Sequence, residues 1–203
     1  LYGTDDPIEE SPEFIATKLA DLEVQLGLLG DEIKRNYTRA VNMENQQQQS
    51  ATNSNDELYV TSQKFRLMFL RADRFDAPMA ARRLVRHFTE KLELFGEHSL
   101  ARRITQQQDL FHEEDQKALF CGAVSFTGAT DRAGRSILMF RRSQFFLINI
   151  TSLQRVAFYW LQNILEENEL SQKKGVILVG YHMDARPLPK PSDITALHPT
   201  ARM

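Results

Sequence analysis

The sequence has little cysteine, little glycine and no long hydrophobic run. One cysteine and nine glycines occur among 203 residues. A lone cysteine excludes an internal disulfide and is typical of a reducing compartment. No apolar run approaches the roughly 20 residues that a membrane-spanning helix needs, and the acidic beginning shows no signal-peptide pattern. We therefore expect a cytoplasmic protein.

The chain also lacks a strong excess of charge and any catalytic motif. A formal net charge of −2 gives no general attraction to nucleic acid. The histidines show no metal-ligand spacing such as H-E-x-x-H, no serine lies in a G-x-S-x-G elbow, and Cys121 has no obvious base. We expect a protein that is not an enzyme, uses no cofactor or metal, and does not bind nucleic acid.

The first part of the chain contains helical periodicity instead. The residues Ser-Pro-Glu at 11–13 combine a cap, a first-turn proline and an early acid, which predicts a helix start. Apolar residues then recur at steps of three and four, which predicts an amphipathic helix over about 12–40. Gly27 and Gly30 weaken its middle and can divide it. We interpret 1–44 as this N-terminal helical segment.

A polar linker and a helical hairpin follow. Residues 45–56 include four consecutive glutamines and have almost nothing to bury, which predicts a linker. Apolar residues within 57–121 recur at helical spacing on either side of a short acidic turn. Asp76 is a good N-cap for the second helix, and Gly96 offers its end. The physics therefore predicts two helices joined by a tight turn.

The pattern changes at Gly122. Residues 123–128 alternate between apolar and polar, and residues 135–140 form a compact apolar run. The Asp and Gly between them are typical of a turn, so we expect a β-hairpin.

A strand–helix–strand unit completes the ordered pattern. Thr151 or Ser152 is expected to cap a helix whose apolar face runs over 153–165, the strongest helical signal in the chain. The near-continuous apolar run at 176–183 predicts a strand covered on both faces. A strand, a helix and a second strand favour parallel pairing with a right-handed crossover.

Three segments, in order, carry a family resemblance. The first is FLRADRFDAPMAARRLV at 69–85, and the second is the turn and strand TDRAGRSILMF at 130–140. The third, at 153–183, is a long helix LQRVAFYWLQNILEE that leads into the strand GVILVGYHM. Together they resemble the CRAL-TRIO lipid-binding family over roughly 57–184.

The resemblance implies a fold of the α/β class, or more narrowly α+β. A helical N-terminal subdomain over 57–121 would precede a lipid-binding α/β domain over 122–184. In this family an apolar cavity holds one hydrophobic molecule, such as a phospholipid or a phosphoinositide. The family exchanges that molecule between membranes through transient peripheral contact, with no bond made or broken.

The resemblance is incomplete on the C-terminal side. The gating helix, the remaining central strands and the basic residues that receive a phosphoinositide headgroup have no counterpart in this sequence. Residues 185–203 are rich in proline and predict an irregular tail. We therefore expect a partial lipid-binding domain.

The candidate lipid-binding residues lie on the last strand. Alternation puts Ile177, Val179 and Tyr181 on one face. The opposite face carries Val176, Leu178 and His182. We expect the first set to face the lipid, because Tyr181 combines an apolar body with a polar tip. The alternative is that both faces are ordinary core.

Four basic pairs have two readings. They are Arg82-Arg83, Arg102-Arg103, Arg141-Arg142 and Lys173-Lys174. They could meet anionic headgroups during lipid exchange, or they could be solvated faces balanced by acids.

A second class of function stays open. The helical hairpin and the helix at 153–165 could present an apolar groove to a protein partner, whose identity the sequence does not indicate. The chain would then be a non-catalytic interaction module with no lipid bound.

Overall fold

A computed structural model describes residues 8–50, 58–145 and 148–181 of the chain. The fold is mixed α/β and mostly helical, with one small sheet. The chain divides into two units between Arg103 and Ile104. The sequence predicted the boundary between the helical subdomain and the α/β domain at residues 121 and 122. The helix Glu113–Phe120, which precedes that boundary, packs within the second unit. The tail over 185–203 lies outside the described residues.

The first periodic segment forms two helices, as the glycines indicated. They are α1, Pro12–Leu28, and α2, Asp31–Ser50, and the Ser11 side chain caps α1 by accepting from the Phe14 N–H. Helix α2 continues through 45–50, so the predicted linker is wrong there. Glutamine tolerates a helix well, because its flexible side chain loses little freedom in one. A low content of apolar residues therefore did not prevent a helical backbone at 45–50.

The predicted helical hairpin is confirmed. It consists of α3, Gln63–Ala72, and α4, Ala77–Phe95. Asp76 caps α4 by accepting from the Met79 N–H at 2.9 Å, and α4 ends at Gly96.

The turn between α3 and α4 depends on the residues that made this stretch recognisable. Arg74 and Phe75 both have positive φ, an uncommon backbone for residues with a Cβ. The Phe75 N–H donates to the Leu70 carbonyl at 2.6 Å, which ends α3. Asp73 accepts two hydrogen bonds from the Arg83 guanidinium, at 2.6 and 2.8 Å, and so ties α3 to α4. One arginine of the first basic pair therefore has a structural partner.

A buried carboxylate closes the first unit between α2 and α3. Glu44 is only 4% exposed. Its two oxygens accept from the backbone N–H groups of Tyr59, Val60 and Thr61, at 2.5, 2.6 and 3.1 Å. The Thr61 hydroxyl donates a further bond of 2.8 Å. A carboxylate can accept all four, so the segment entering α3 has its donors satisfied away from water.

Replacing this carboxylate should destabilise the first unit. Glu44→Ala leaves buried N–H groups without acceptors, and we expect a loss of about 3 kcal/mol in the free energy of unfolding. Urea unfolding followed by circular dichroism measures it. Glu32→Ala, on the exposed side of the same helix, is the matched control and should cost less than about 0.5 kcal/mol. Equal losses in the two variants would contradict this account.

Helix α4 carries a buried histidine in an aromatic cluster. The His87 ring packs edge-to-face against Phe65, Phe69 and Phe88, with centroids 5.2–5.6 Å apart. Burial lowers the pKa of His87 well below its ordinary value, and the nearby Lys91 ammonium lowers it further. The folded unit therefore holds His87 neutral.

This burial predicts a stability that depends on pH. The unfolded chain binds a proton at His87 below about pH 6.5, whereas the folded unit does not. Stability is therefore complete above that pH and falls as the pH drops, by up to about 1.4 kcal/mol per unit. Hydrogen exchange of the α4 amides between pH 7 and pH 5, corrected for intrinsic rates, measures the trend.

Substitution at two histidines separates this effect from general acid sensitivity. His87→Gln should flatten the slope, because glutamine does not titrate. His112→Gln removes an exposed histidine of the second unit and should leave the slope unchanged. A slope that survives in His87→Gln would refute the assignment.

The second unit contains five short or medium helices and three strands in its described part. They are α5 Gln106–Asp109, α6 Glu113–Phe120, β1 Val124–Thr130, β2 Ser136–Arg141, α7 Arg142–Phe145, α8 Ile150–Glu167, α9 Glu169–Lys174 and β3 Ile177–Tyr181. The expected cap of α8 is wrong by a few residues. Asn149 caps it by accepting from the Thr151 N–H at 2.8 Å, so Thr151 and Ser152 are already helical.

The strands have the predicted pairings. Its order is β1-β2-β3, with β1 antiparallel and β3 parallel to the central β2. The expectation that β3 is covered on both faces is wrong for the described residues. Leu178 and Val179 point to opposite faces, and they are 45% and 37% exposed. An apolar run alone does not distinguish a central strand from an outer one.

Candidate functional site

The candidate site is one face of the three-stranded sheet, here called the open face. The pairing of β2 with β3 joins Ile137 to Ile177, Met139 to Val179 and Arg141 to Tyr181. Paired residues in adjacent strands point to the same side, and alternate residues share a face. The three predicted lipid-binding residues therefore lie together with three residues of β2. The open face consists of Ile137, Met139, Arg141, Ile177, Val179 and Tyr181.

Over β1 and β2, the opposite face of the sheet forms the core of the second unit. Val124 and Leu138 are fully buried there. The rings of Phe126 and Trp160 are 6.2 Å apart, which places α8 against this side of the sheet. The predicted apolar face of α8 is buried with them, including Leu153, Val156, Ala157, Leu161 and Ile164. Alternation then directs the open face away from α8.

Exposure increases along the open face toward its Arg141 end. Ile137, Met139 and Ile177 are half-buried. Val179 is 37% exposed and Tyr181 is 45% exposed. In the described residues the predicted site is therefore a surface, whereas the resemblance implied an enclosed cavity. The expectation that Ile177, Val179 and Tyr181 share a side is confirmed by the register.

The turn that leads into β2 is held by a single carboxylate. Asp131 accepts from the backbone N–H groups of Ala133 and Arg135, at 3.0 and 2.9 Å. It also accepts two bonds from the Arg135 guanidinium, at 2.9 and 2.7 Å. The hydrogen bonds from this guanidinium and from the backbone lower the pKa of Asp131 below its usual range. The Asp and Arg of the motif DRAGR are thus structural.

Helix α9 precedes β3 in the chain, and hydrogen bonds connect it to the start of β2. The Asn168 side chain donates to the Ser136 hydroxyl at 2.9 Å and to the Gly134 carbonyl at 3.2 Å. The Ser136 N–H in turn donates to the buried Ser171 hydroxyl at 2.9 Å. These bonds place the N-terminal part of α9 beside the first residue of β2. The strand that follows α9 is β3, and it pairs parallel with β2.

Several of the basic residues have structural partners. Lys173 pairs with Glu169, and the Lys174 ammonium donates to the Ala133 carbonyl at 3.3 Å. Arg102 donates to the Arg103 carbonyl at 3.0 Å. Arg141 is different, because it is exposed and no carboxylate of the described residues forms an ion pair with it. Among the described members of the four basic pairs, Arg141 is the one that belongs to the open face.

Sequence reasoning missed the β2 half of the open face. Ile137, Met139 and Arg141 alternate within RSILMFR, so the alternation itself was visible. What the sequence did not contain was the register that joins them to β3. Both strands and their parallel pairing were expected, but the register of that pairing needs the positions of α9 and of the hairpin turn.

The alternative groove on the helices is not available on the surfaces named for it. The apolar residues of α4, such as Leu84 and Phe88, are buried within the first unit. The apolar face of α8 is covered by the sheet.

Among the described residues, no group of histidine, cysteine, aspartate and glutamate could hold a metal ion. Within the same residues, no helix combines the length and apolarity that crossing a bilayer requires.

Comparison with known proteins does not assign this chain to a group. No protein-family model matches the sequence, and a search of curated proteins finds no significant match.

The turn at Gly134 offers a test of what holds the sheet register. Gly134 has a φ of +80°, and a Cβ there would collide with the Leu170 side chain of α9. Gly128 has a φ of +72° but open space around it. We expect Gly134→Ala to lower the free energy of unfolding by about 1 kcal/mol more than Gly128→Ala, because only the former forces the exposed Leu170 side chain out of its preferred rotamer in addition to the backbone strain.

The single tryptophan, Trp160, reports unfolding of this unit by fluorescence in urea. The two alanine variants share the left-handed strain, so their difference isolates the contact with α9. Equal losses would mean that α9 does not constrain the turn.

Proposed function

We propose that the chain binds a lipid on the open face of its sheet, as part of a lipid-binding domain similar to the CRAL-TRIO family. The observation that supports this most is the register of β2 with β3. It places four apolar side chains, Ile137, Ile177, Met139 and Val179, in two adjacent rows on the side away from α8. A partly exposed apolar surface of this kind favours an apolar occupant.

The dimensions of the open face suit an acyl chain. Three rows of alternate residues span about 13 Å along the strands, at roughly 3.3 Å per residue. The two apolar rows cover about half of that length, which accommodates about five methylene groups in extended form at ~1.3 Å each, and each buried methylene contributes about 0.8 kcal/mol. The binding free energy would then come from the buried apolar area and not from a few polar contacts.

The order of elements gives independent support to the family part of the proposal. A helical hairpin, an antiparallel strand pair entered through an Asp-x-x-Gly-Arg turn, and a helix leading to a parallel strand occur in the sequence expected for this resemblance. The activity in this proposal is binding and exchange of one lipid, without chemical change and without a cofactor. Contact with a membrane would be transient and peripheral.

A pair of charge substitutions on opposite faces of β3 tests the proposal. Val179→Arg places a cation on the open face, and Leu178→Arg places one on the other face of the same strand. Both positions are partly exposed, at 37% and 45%, so the expected stability losses are similar. Binding of a fluorescent acyl-chain probe should fall at least tenfold in Val179→Arg and less than twofold in Leu178→Arg.

Native mass spectrometry of the purified chain adds a second readout. A co-purified lipid that is lost in Val179→Arg supports the proposal. Equal loss of probe binding in both variants, or an unmodified chain that binds no lipid probe, contradicts it. A chain without lipid that captures a defined protein partner would favour the interaction-module alternative.

A further inference from the structure

We infer that the lipid of the open face is an anionic amphiphile whose charged head lies at the Arg141 end and whose chain runs toward Ile137 and Ile177. The inference rests on the proposed function and adds the class and the orientation of the ligand. Its origin is the order of the three rows that the β2–β3 register produces. Two rows are wholly apolar, and the third pairs Arg141 with Tyr181.

The polarity of these rows runs in one direction. Ile137 with Ile177 and Met139 with Val179 carry no hydrogen-bonding side-chain group. The third row carries a guanidinium with five donors and a phenolic hydroxyl. An amphiphile that lies along the strands matches this gradient in only one orientation. A neutral hydrocarbon would leave the polar row unused.

Arg141 has the properties of a cationic partner for an anionic headgroup. It is exposed at the end of β2, and its guanidinium lies beside Gly122, where an added Cβ would be 3.7 Å from Nη1. In the described ranges it forms no salt bridge, unlike Arg83 and Arg135. Guanidinium groups bind carboxylates and phosphates through paired hydrogen bonds. A carboxylate or phosphate head is therefore the chemistry that fits.

Tyr181 completes the polar row from the neighbouring strand. Adjacent strands lie about 4.8 Å apart, and Tyr181 is the register partner of Arg141. Its ring continues the apolar surface, and its hydroxyl is a second donor at the same end of the open face. Tyr181→Phe should therefore weaken an anionic ligand two- to threefold and leave an uncharged ligand unaffected.

A matched pair of probes tests the charge directly. The fluorescent fatty acid cis-parinaric acid and its methyl ester have the same chain and differ in the charge of the head. We expect the unmodified chain to bind the acid about tenfold more tightly than the ester, a difference of 1.4 kcal/mol. Arg141→Gln should abolish this preference without weakening the ester.

Arg132→Gln is the control for loss of positive charge. Arg132 is exposed in the hairpin turn, outside the open face. This variant should keep the preference for the acid. An equal loss of preference in both arginine variants would overturn the inference, because it would indicate general charge attraction.

The outcomes separate this inference from the proposed function. Equal binding of acid and ester in the unmodified chain overturns the inference and leaves the lipid proposal standing. Failure to bind either probe overturns both.

Two further arms identify the source of the anionic group. Inorganic phosphate at millimolar concentration, with ionic strength matched by chloride, should not displace the acid, because the chain supplies most of the affinity. Complete displacement would indicate a headgroup-only site and overturn the inference. Sedimentation with phosphatidylserine vesicles, without binding of single probe molecules, would indicate a membrane surface as the partner and would also overturn it.

Discussion

The hydrogen-bonded pairing of β2 with two different strands is the constraint on which the candidate site depends. β2 pairs antiparallel with β1 through a tight turn and parallel with β3 through α8 and α9. The first pairing places Val124 and Leu138 against α8. The second places apolar residues of β2 and β3 on the other side. A shift of one residue would exchange the faces and would bury Arg141 under α8.

Buried or half-buried polar side chains fix the chain path within each unit at points where the chain changes direction. Glu44 satisfies the backbone donors that lead into α3. Asn168 connects α9 to the start of β2. Gln162 of α8 accepts from the Ile104 N–H and donates to the Ile104 carbonyl, at 3.2 and 3.3 Å. Each is a single side chain that satisfies several backbone groups, so each specifies one chain path.

Sequence reasoning was most successful where a local rule acts alone. The Asp76 cap, the division near Gly30 and the hairpin over 123–140 follow from turn and cap chemistry within a few residues. It failed where the apolar pattern gives no signal or where a distant contact decides. The polar stretch at 45–50 is helical, in the same helix as Glu44, whose partners lie fifteen to seventeen residues further along the chain. The outer position of β3 in the described sheet likewise follows from the packing around that strand and not from its own apolar run.

The sequence by itself determined the elements of this protein: the helical hairpin, the strand pair, the long helix α8 and the shared side of Ile177, Val179 and Tyr181. These depend on periodicity and caps, which act over one or two turns of chain. Only the tertiary structure decided that Ile137, Met139 and Arg141 join that side, because strand register is set by the Asp131 turn and by the bonds from α9. It also decided which side α8 covers, and that choice separates the core of the sheet from its open face.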